Sequence, residues 1–240
     1  MGHKKTLNNK RLTRKQVQEL IELEGKLHEE FTKFFEETYS TGYKNQPLVY
    51  ELPNDRFLFV FDPNGIIIPG KGDIYRKEDF LKRIQWTQRV REDYANHRGS
   101  SVSHWNYYSK YKIELINKID ELIYELAEQL QINHEQLDFS YISLDIVSTK
   151  VEAYGINQVQ NNLYDNLVAY VGEVMRQRKN GKWAVNSDSM DEKYPYISAG
   201  VNGDGVMMPI NVVWQEITDI EPINLRKETA NEVRRFSLGY

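Results

Sequence analysis

The sequence contains no cysteine, and this absence limits the chemistry that the protein can perform. Disulfide bonds and thiolate catalysis are excluded, and a structural zinc site is disfavoured because such sites commonly use cysteine ligands. No apolar run is long enough to span a membrane. The basic N-terminus also lacks the apolar stretch of a signal peptide. We therefore expect a cytoplasmic protein with no membrane partner.

A strong excess of one charge is also absent, since the formal net charge is −4 over 240 residues. A chain without a global basic field does not attract nucleic acid by charge alone, so a nucleic-acid partner is not expected. The exception is the segment 1–12, which carries Lys4, Lys5, Lys10 and Arg11. We expect a disordered, solvated tail there, with a nucleic-acid contact as the less favoured alternative.

The remaining composition is typical of a folded globular protein. Hydrophobic residues make up 40% of the chain and aromatic residues 12%, with 16 tyrosines. This apolar content argues against disorder and is enough to bury a core. We predict an N-terminal α+β region over 13–99 and a C-terminal α+β domain over 104–240. The alternative that both form one compact domain stays open, because the length is compatible with either arrangement.

Hydrophobic periodicity and turn residues predict an α+β fold, with several amphipathic helices and two antiparallel β-hairpin regions. A capping box at Thr13 begins a long helix that Gly42 ends. In the first hairpin region, the turn 62–65 joins a strand to its return partner. The ranges predicted for the N-terminal half and the middle of the chain are strands 48–52, 56–61 and 66–68, helices 73–96, 108–130 and 144–154, and a loop 98–103.

The most regular pattern begins at Asn161, where apolar residues recur at helical spacing as far as Met175. Asn180-Gly181 then supplies the left-handed residue that commonly ends a helix, and 182–185 begins a strand. The elements predicted after this joint are a strand 194–201, the hairpin dipeptide Asn202-Gly203, a return strand 206–217 and a terminal helix 227–236.

Glu173 lies inside the predicted helix, directly after Gly172. A carboxylate at such a position can serve as a catalytic base or a metal ligand. The structural alternative is favoured: Gly172 allows close packing, and Glu173 pairs with Arg176 or faces solvent. We predict no catalytic residue, metal site or cofactor with the specificity of a motif.

His97 and His104 flank a serine-rich segment, 100–103. A hydrolase or nuclease-type site would need one of these serines activated by a histidine and oriented by a carboxylate. No Gly-x-Ser-x-Gly motif is present, and serine is common in loops. An enzyme that uses Glu173 with the His97–His104 loop is therefore the alternative hypothesis rather than the first.

Aromatic side chains are the remaining indication of function. Trp105, Tyr107 and Tyr108 follow the serine-rich segment, and tyrosine and tryptophan are favoured at protein interfaces. The same rings are equally suited to an α+β core. We take these three as candidate binding residues, with exposed rings near Trp105 and Tyr107 as the centre of the surface, and add Glu173 and Trp183.

The segment Tyr170–Val174, followed by Gly181-Lys182-Trp183, resembles a pattern in uncharacterised bacterial domains. In those domains a helix bearing Gly-Glu precedes Gly-x-Trp and a small antiparallel sheet, and some occur among immunity-type or interaction proteins. The resemblance covers the last third of the chain. It implies protein binding rather than catalysis and supplies no catalytic residues. We therefore expect a non-enzymatic bacterial protein that binds another protein, in an immunity or antitoxin-like role.

Overall fold

The computed structural model describes residues 12–39, 47–60, 72–186, 193–200, 205–219 and 222–237. The fold is α+β with two antiparallel sheets, as the sequence predicts. The chain divides into two compact units, Met1–Arg91 and Glu92–Tyr240. The predicted regions place their boundary later, at 99–104.

The first unit contains a four-stranded antiparallel sheet in which neighbouring strands follow one another along the chain. Alternate residues of the third strand face opposite sides: Phe57 and Phe59 pack with one aromatic cluster, whereas Leu58 packs with Val17. Because both faces are buried, this strand reads as a continuous apolar run. The elements are α1 (Arg14–Leu23), β1 (Lys26–Leu27), α2 (Glu29–Tyr39), β2 (Leu48–Leu52), β3 (Arg56–Val60), β4 (Asp73–Arg76) and α3 (Lys77–Ala95), which runs past the unit boundary.

The single long helix predicted from Thr13 to Gly42 is wrong, because the chain leaves the helix after Leu23 and forms β1 before α2 begins. Gly25 is the position that permits this break: a Cβ atom there would lie 2.8 Å from the Cα of Ile21. The helical pattern of apolar residues continues through the break, so periodicity alone could not reveal it.

The first hairpin region is built differently from the prediction. The strands β2 and β3 are joined by a tight turn in which Asn54 and Asp55 have φ of 61° and 52°, the left-handed geometry that Asn and Asp tolerate. Residues 73–76, predicted as helix, form the strand β4. The predicted turn 62–65 and return strand 66–68 lie outside the described residues.

The second unit is organised around one helix, Tyr164–Lys179 (α8), which is buried on all sides from Tyr164 to Met175. Three helices and the central strand of a three-stranded antiparallel sheet pack against it, and the helices are Ile119–Leu130 (α5), Pro209–Thr218 (α9) and Leu225–Ser237 (α10). The elements are α4 (Ser101–Tyr108), a 3₁₀ helix (Lys112–Lys118), α5 (Ile119–Leu130), a short 3₁₀ turn (His134–Gln136), α6 (Tyr141–Tyr154), α7 (Ile156–Asn162), α8 (Tyr164–Lys179), β5 (Lys182–Val185), β6 (Pro195–Ala199), β7 (Gly205–Met207), α9 (Pro209–Thr218) and α10 (Leu225–Ser237).

The predicted joint between α8 and β5 is confirmed. Asn180 has φ of 48° and ends the helix in the left-handed conformation, and Lys182 begins the strand. The start is later than predicted, because Leu163 separates α8 from α7. The dipeptide Asn202-Gly203 lies outside the described residues, but the flanking strands β6 and β7 pair antiparallel, with Ala199 opposite Gly205.

The long return strand predicted over 206–217 is wrong, because β7 ends at Met207 and α9 follows. Pro209 opens this helix, where its fixed φ and missing N–H group are tolerated. The buried residues Ile210, Val213 and Ile217 have helical spacing. Their β-branched side chains favoured a strand in the sequence, and packing against α8 decides for the helix.

Two further boundaries in the middle of the chain differ from the prediction. The loop predicted over 98–103 stops at Ser100, which is the N-cap of α4. The long helix predicted over 108–130 is interrupted after Tyr108 and resumes as a 3₁₀ helix before α5. Positive φ at Lys112, which is 50°, belongs to this interruption.

We expect Leu167→Ala to destabilise the second unit by about 2–5 kcal/mol, because it leaves a cavity in a well-packed core. Leu167 lies on α8 with no exposed surface. Ile142→Ala is the matched control, since that side chain is 66% exposed. Urea unfolding followed by tryptophan fluorescence gives both values. Equal effects of the two substitutions would show that α8 does not form the core.

Glu216 on α9 supplies a prediction about pH. Burial, together with the nearby charge of Glu228, raises the pKa of this carboxyl group, although the backbone N–H group of Asn224 donates to it. A raised pKa means that the folded state holds the proton more tightly than the unfolded state. The stabilising contribution is therefore complete below the unfolded pKa of about 4.3 and is lost as the pH rises through the folded value.

We expect Glu216→Gln to remove this dependence. The wild type should lose more unfolding free energy than the variant as the pH rises from about 4, the unfolded pKa, through the raised pKa of the folded state. Urea unfolding of both proteins at stepped pH measures the difference. Parallel stability profiles would mean that Glu216 has the same pKa in both states.

Candidate functional site

Glu173 forms a compact cluster with Arg176 and Trp183. The Arg176 Nε donates to both Glu173 oxygens at 2.8 and 2.9 Å, and Nη2 donates to Oε2 at 2.8 Å. The Trp183 Nε1 donates to Oε1 at 2.7 Å. Hydrogen bonding to this carboxylate raises the pKa of Arg176. Both oxygens of Glu173 are therefore occupied, as the structural alternative predicts.

The indole of Trp183 lies directly against α8 at Gly172. A Cβ atom on Gly172 would lie 2.1 Å from Cη2 of Trp183 and 2.3 Å from Cζ2. Only a glycine allows this approach without a shift of the ring. The resemblance-bearing residues Gly172, Glu173 and Trp183 thus form one packing and hydrogen-bonding arrangement that joins helix α8 to strand β5.

The two histidines of the alternative hypothesis have different environments. His97 is exposed and has a positive φ of 58°. His104 is fully buried, and its ring packs 4.4 Å from the ring of Tyr108 and 5.3 Å from that of Tyr164. One imidazole is therefore at the surface and the other is in the core. The side chains that hold Glu173 are Arg176 and Trp183, so the geometry gives the enzyme hypothesis no support.

The serines of this segment have structural partners. Ser100 and Ser103 form a reciprocal capping box: the Ser103 N–H donates to Ser100 Oγ at 3.1 Å, and the Ser100 N–H donates to Ser103 Oγ at 3.0 Å. Ser101 Oγ donates to Asn211 Oδ1 at 2.5 Å. These contacts begin α4 and attach it to α9. No group of three or more His, Asp or Glu suitable for a metal occurs among the described residues.

Trp105 is a core residue, which is the packing alternative for these rings, and its indole is not part of an exposed surface. Its exposed fraction is 0%, and its Nε1 donates to the carbonyl of Lys193 at 3.3 Å. The cause is the orientation of α4, which turns His104 and Trp105 inward and Tyr107 outward. The aromatic run 105–108 is therefore divided between the core and the surface.

Tyr107 is 62% exposed and belongs to a surface that we call the aromatic patch: Tyr94, Arg98, Gly99, Tyr107 and Tyr108. The guanidinium carbon of Arg98 lies 4.4 Å from the centroid of the Tyr107 ring. Tyr108 meets Tyr107 edge to face at 4.9 Å. The ring of Tyr94, 68% exposed, covers Gly99, where a Cβ atom would lie 2.8 Å from Cε1. These contacts hold the exposed rings in defined orientations.

Arg98 fixes the patch to the end of α3. Its Nε donates to Asp93 Oδ1 at 2.8 Å, and its backbone N–H donates to the Asp93 carbonyl at 2.7 Å. Burial opposes the charge of Arg98, but the hydrogen bond to Asp93 and the neighbouring phenols outweigh it, so the pKa is raised. Arg98 therefore remains a cation with a fixed orientation beneath Tyr107.

The sequence did not single out Tyr94, Arg98 or Asp93. Arg98 lies in the predicted loop 98–103, and Tyr94 lies in the predicted helix 73–96. The available signal was the concentration of aromatic residues around one arginine between 94 and 108. Which rings would surround that arginine depended on the turn at His97, where the chain takes a positive φ.

No protein family model, curated protein or solved structure matches this chain. No helix among the described residues is both long and apolar enough to cross a membrane.

We expect Gly172→Ala to destabilise the protein, although alanine is favoured over glycine within helices by about 1 kcal/mol. The substitution lowers the free energy of unfolding instead of raising it, because the new methyl group overlaps the Trp183 ring. Urea unfolding measures it. The double variant with Trp183→Phe should be less destabilised than the sum of the single variants, because phenylalanine lacks the two overlapping atoms. A gain in stability from Gly172→Ala alone would contradict the close approach.

Proposed function

We propose that the protein is a non-enzymatic binding protein that recognises another protein through the aromatic patch. The observation that carries the proposal is that Tyr107 is largely exposed and yet held by Arg98 and Tyr108. Exposed tyrosines that are free to rotate lose entropy when they bind. A ring that is already oriented avoids part of this cost and presents a large apolar area.

The composition of the patch supports recognition of a protein surface. Tyrosine and arginine are enriched among the residues that dominate interface energetics. Tyr94 and Tyr107 supply exposed rings, and Arg98 supplies a charge whose orientation Asp93 fixes. A fitting partner presents an apolar or aromatic side chain to these rings.

The finer proposal is that the partner is a toxin and the role is immunity or antitoxin-like. It rests on the resemblance of the segment from Tyr170 to Trp183 to domains found among bacterial immunity-type and interaction proteins. It also fits a chain whose candidate catalytic residues are engaged in structural contacts, as Glu173 is with Arg176. The binding surface proposed here does not depend on this finer assignment.

Tyr107→Ala tests the proposal, and Tyr124→Ala is its matched control. Tyr124 is also an exposed tyrosine of the second unit, at 59%, but its ring stacks on His134, whereas the ring of Tyr107 lies against Arg98. We expect Tyr107→Ala to weaken binding by about tenfold or more, as loss of an interface anchor does. Its melting temperature should match that of the wild type.

The partner is first captured on immobilised wild-type protein from a lysate of the native source, identified by mass spectrometry and purified. Its dissociation constant is then measured against the wild type and both variants. Equal binding by the Tyr107 and Tyr124 variants would contradict the patch. Absence of a stoichiometric partner would contradict recognition of a different protein. The same conclusion would follow if sedimentation showed that the wild-type chain associates with itself and that Tyr107→Ala abolishes this self-association.

A further inference from the structure

A small polar cleft lies beside the start of α8, within the second unit. Its lining includes Tyr111, Glu125, Asn162, Tyr164, Asp165 and Asn166. It has about 60 Å³ of room for water-sized groups, enough for one small functional group. Two of these residues are almost completely buried and are not fully hydrogen-bonded.

Asp165 uses only one of its two oxygens within the protein. Its Oδ2 accepts the backbone N–H groups of Lys110 and Tyr111 at 2.7 and 3.2 Å, which holds the interruption between α4 and the 3₁₀ helix. Its Oδ1 is buried and has no hydrogen-bonding partner among the described residues. The residue is only 4% exposed. A buried acceptor in this state is costly unless a donor satisfies it.

Tyr164 presents a second unsatisfied group in the same lining. Its hydroxyl is buried and has no partner among the described residues. Burial, with the nearby charge of Asp165, raises the pKa of this phenol well above its ordinary value, so the hydroxyl stays neutral. A neutral phenol can accept a hydrogen bond as well as donate one. The cleft thus contains two acceptors that lack donors.

The lining of the cleft contains two carboxylates, those of Asp165 and Glu125, and one ammonium, that of Lys110. Glu125 adds a second carboxylate, whose Oε2 accepts from Asn166 Nδ2 at 3.2 Å. Lys112 interacts with Asp165 through its charge, but its ammonium donates to the carbonyl of Asn106 at 2.5 Å. No described residue donates to Asp165 Oδ1 or to the Tyr164 hydroxyl, so both atoms are open to the donors of a bound group.

We propose that this cleft binds a primary ammonium group. Such a group offers three N–H donors and one positive charge, which match Asp165 Oδ1, the Tyr164 hydroxyl and the carboxylate of Glu125. The size of the cleft admits the ammonium and its first carbon, with any longer chain extending outward. A free small amine and the side chain of a lysine share this chemistry, and the inference does not depend on the aromatic patch.

The test is a titration of the full-length protein with methylammonium chloride, followed by ¹H–¹⁵N correlation NMR. The Lys110 and Tyr111 amides are the reporters, because both donate to Asp165. We expect saturable shifts of these signals. Tetramethylammonium chloride at equal ionic strength is the control, since it has the charge but no N–H donor, and it should cause no saturable shift.

Two variants connect the binding to the proposed atoms. Asp165→Asn keeps an oxygen for the Lys110 and Tyr111 amides but removes the charge, and we expect binding to weaken by about tenfold or more. Tyr164→Phe removes only the unsatisfied hydroxyl. It should weaken binding several-fold while leaving the melting temperature unchanged or raised, which a purely structural hydroxyl would not do.

The source of the ammonium is distinguished by a parallel titration with lysine blocked at its amino and carboxyl termini. Binding of blocked lysine more tightly than methylammonium assigns the cleft to a protein side chain, and the reverse order assigns it to a free amine. Absence of saturable shifts with either probe, equal shifts with tetramethylammonium, or binding unaffected by both variants would overturn the proposal. Should Asp165→Asn not fold, Tyr164→Phe alone decides.

Discussion

Burial of α8 on all of its faces is the constraint on which the second unit depends. A helix in this position removes apolar residues such as Leu167 and Val171 completely from water, and this burial supplies the main driving force for the unit. It also forces each polar side chain on the helix to find a partner inside the protein, because water cannot reach it.

The polar residues of α8 meet that requirement to different extents. Both oxygens of Glu173 accept hydrogen bonds, which Arg176 and Trp183 donate. Asn166 donates to the carbonyl of Leu122 at 2.9 Å, which fastens α8 to α5. Asp165 accepts hydrogen bonds on one oxygen only. This unsatisfied oxygen makes the cleft at the start of α8 a candidate ligand site rather than another structural contact.

The aromatic patch and the cleft belong to opposite kinds of surface, although they share Tyr108. The patch is open, with Tyr107 largely exposed, and its order comes from stacking on Arg98. The cleft is narrow, and hydrogen bonds to Asp165 hold its lining in place. An open apolar surface suits a protein partner, whereas a narrow polar cleft suits a small polar group.

The sequence by itself determined the features that depend on neighbouring residues. Asn180 predicted the end of α8, because its preference for the left-handed conformation does not depend on tertiary contacts. Gly155 ended α6 with φ of 97° for a similar reason. The pairing of Glu173 with Arg176, three residues apart on one helix, was also available from spacing alone.

Only the tertiary structure decided the features that depend on distant contacts. The segment 209–218 became a helix because its apolar face packs against α8, although its β-branched residues favoured a strand. Trp105 became a core residue and Tyr107 a surface residue through the orientation of α4. The partners of Asp165 Oδ2, Lys110 and Tyr111, lie far away in the sequence, so local spacing reveals neither these bonds nor the unsatisfied Oδ1. A local sequence pattern reflects the conformational preferences of its residues, whereas the burial and the hydrogen-bonding partners of a side chain are set only in the folded chain.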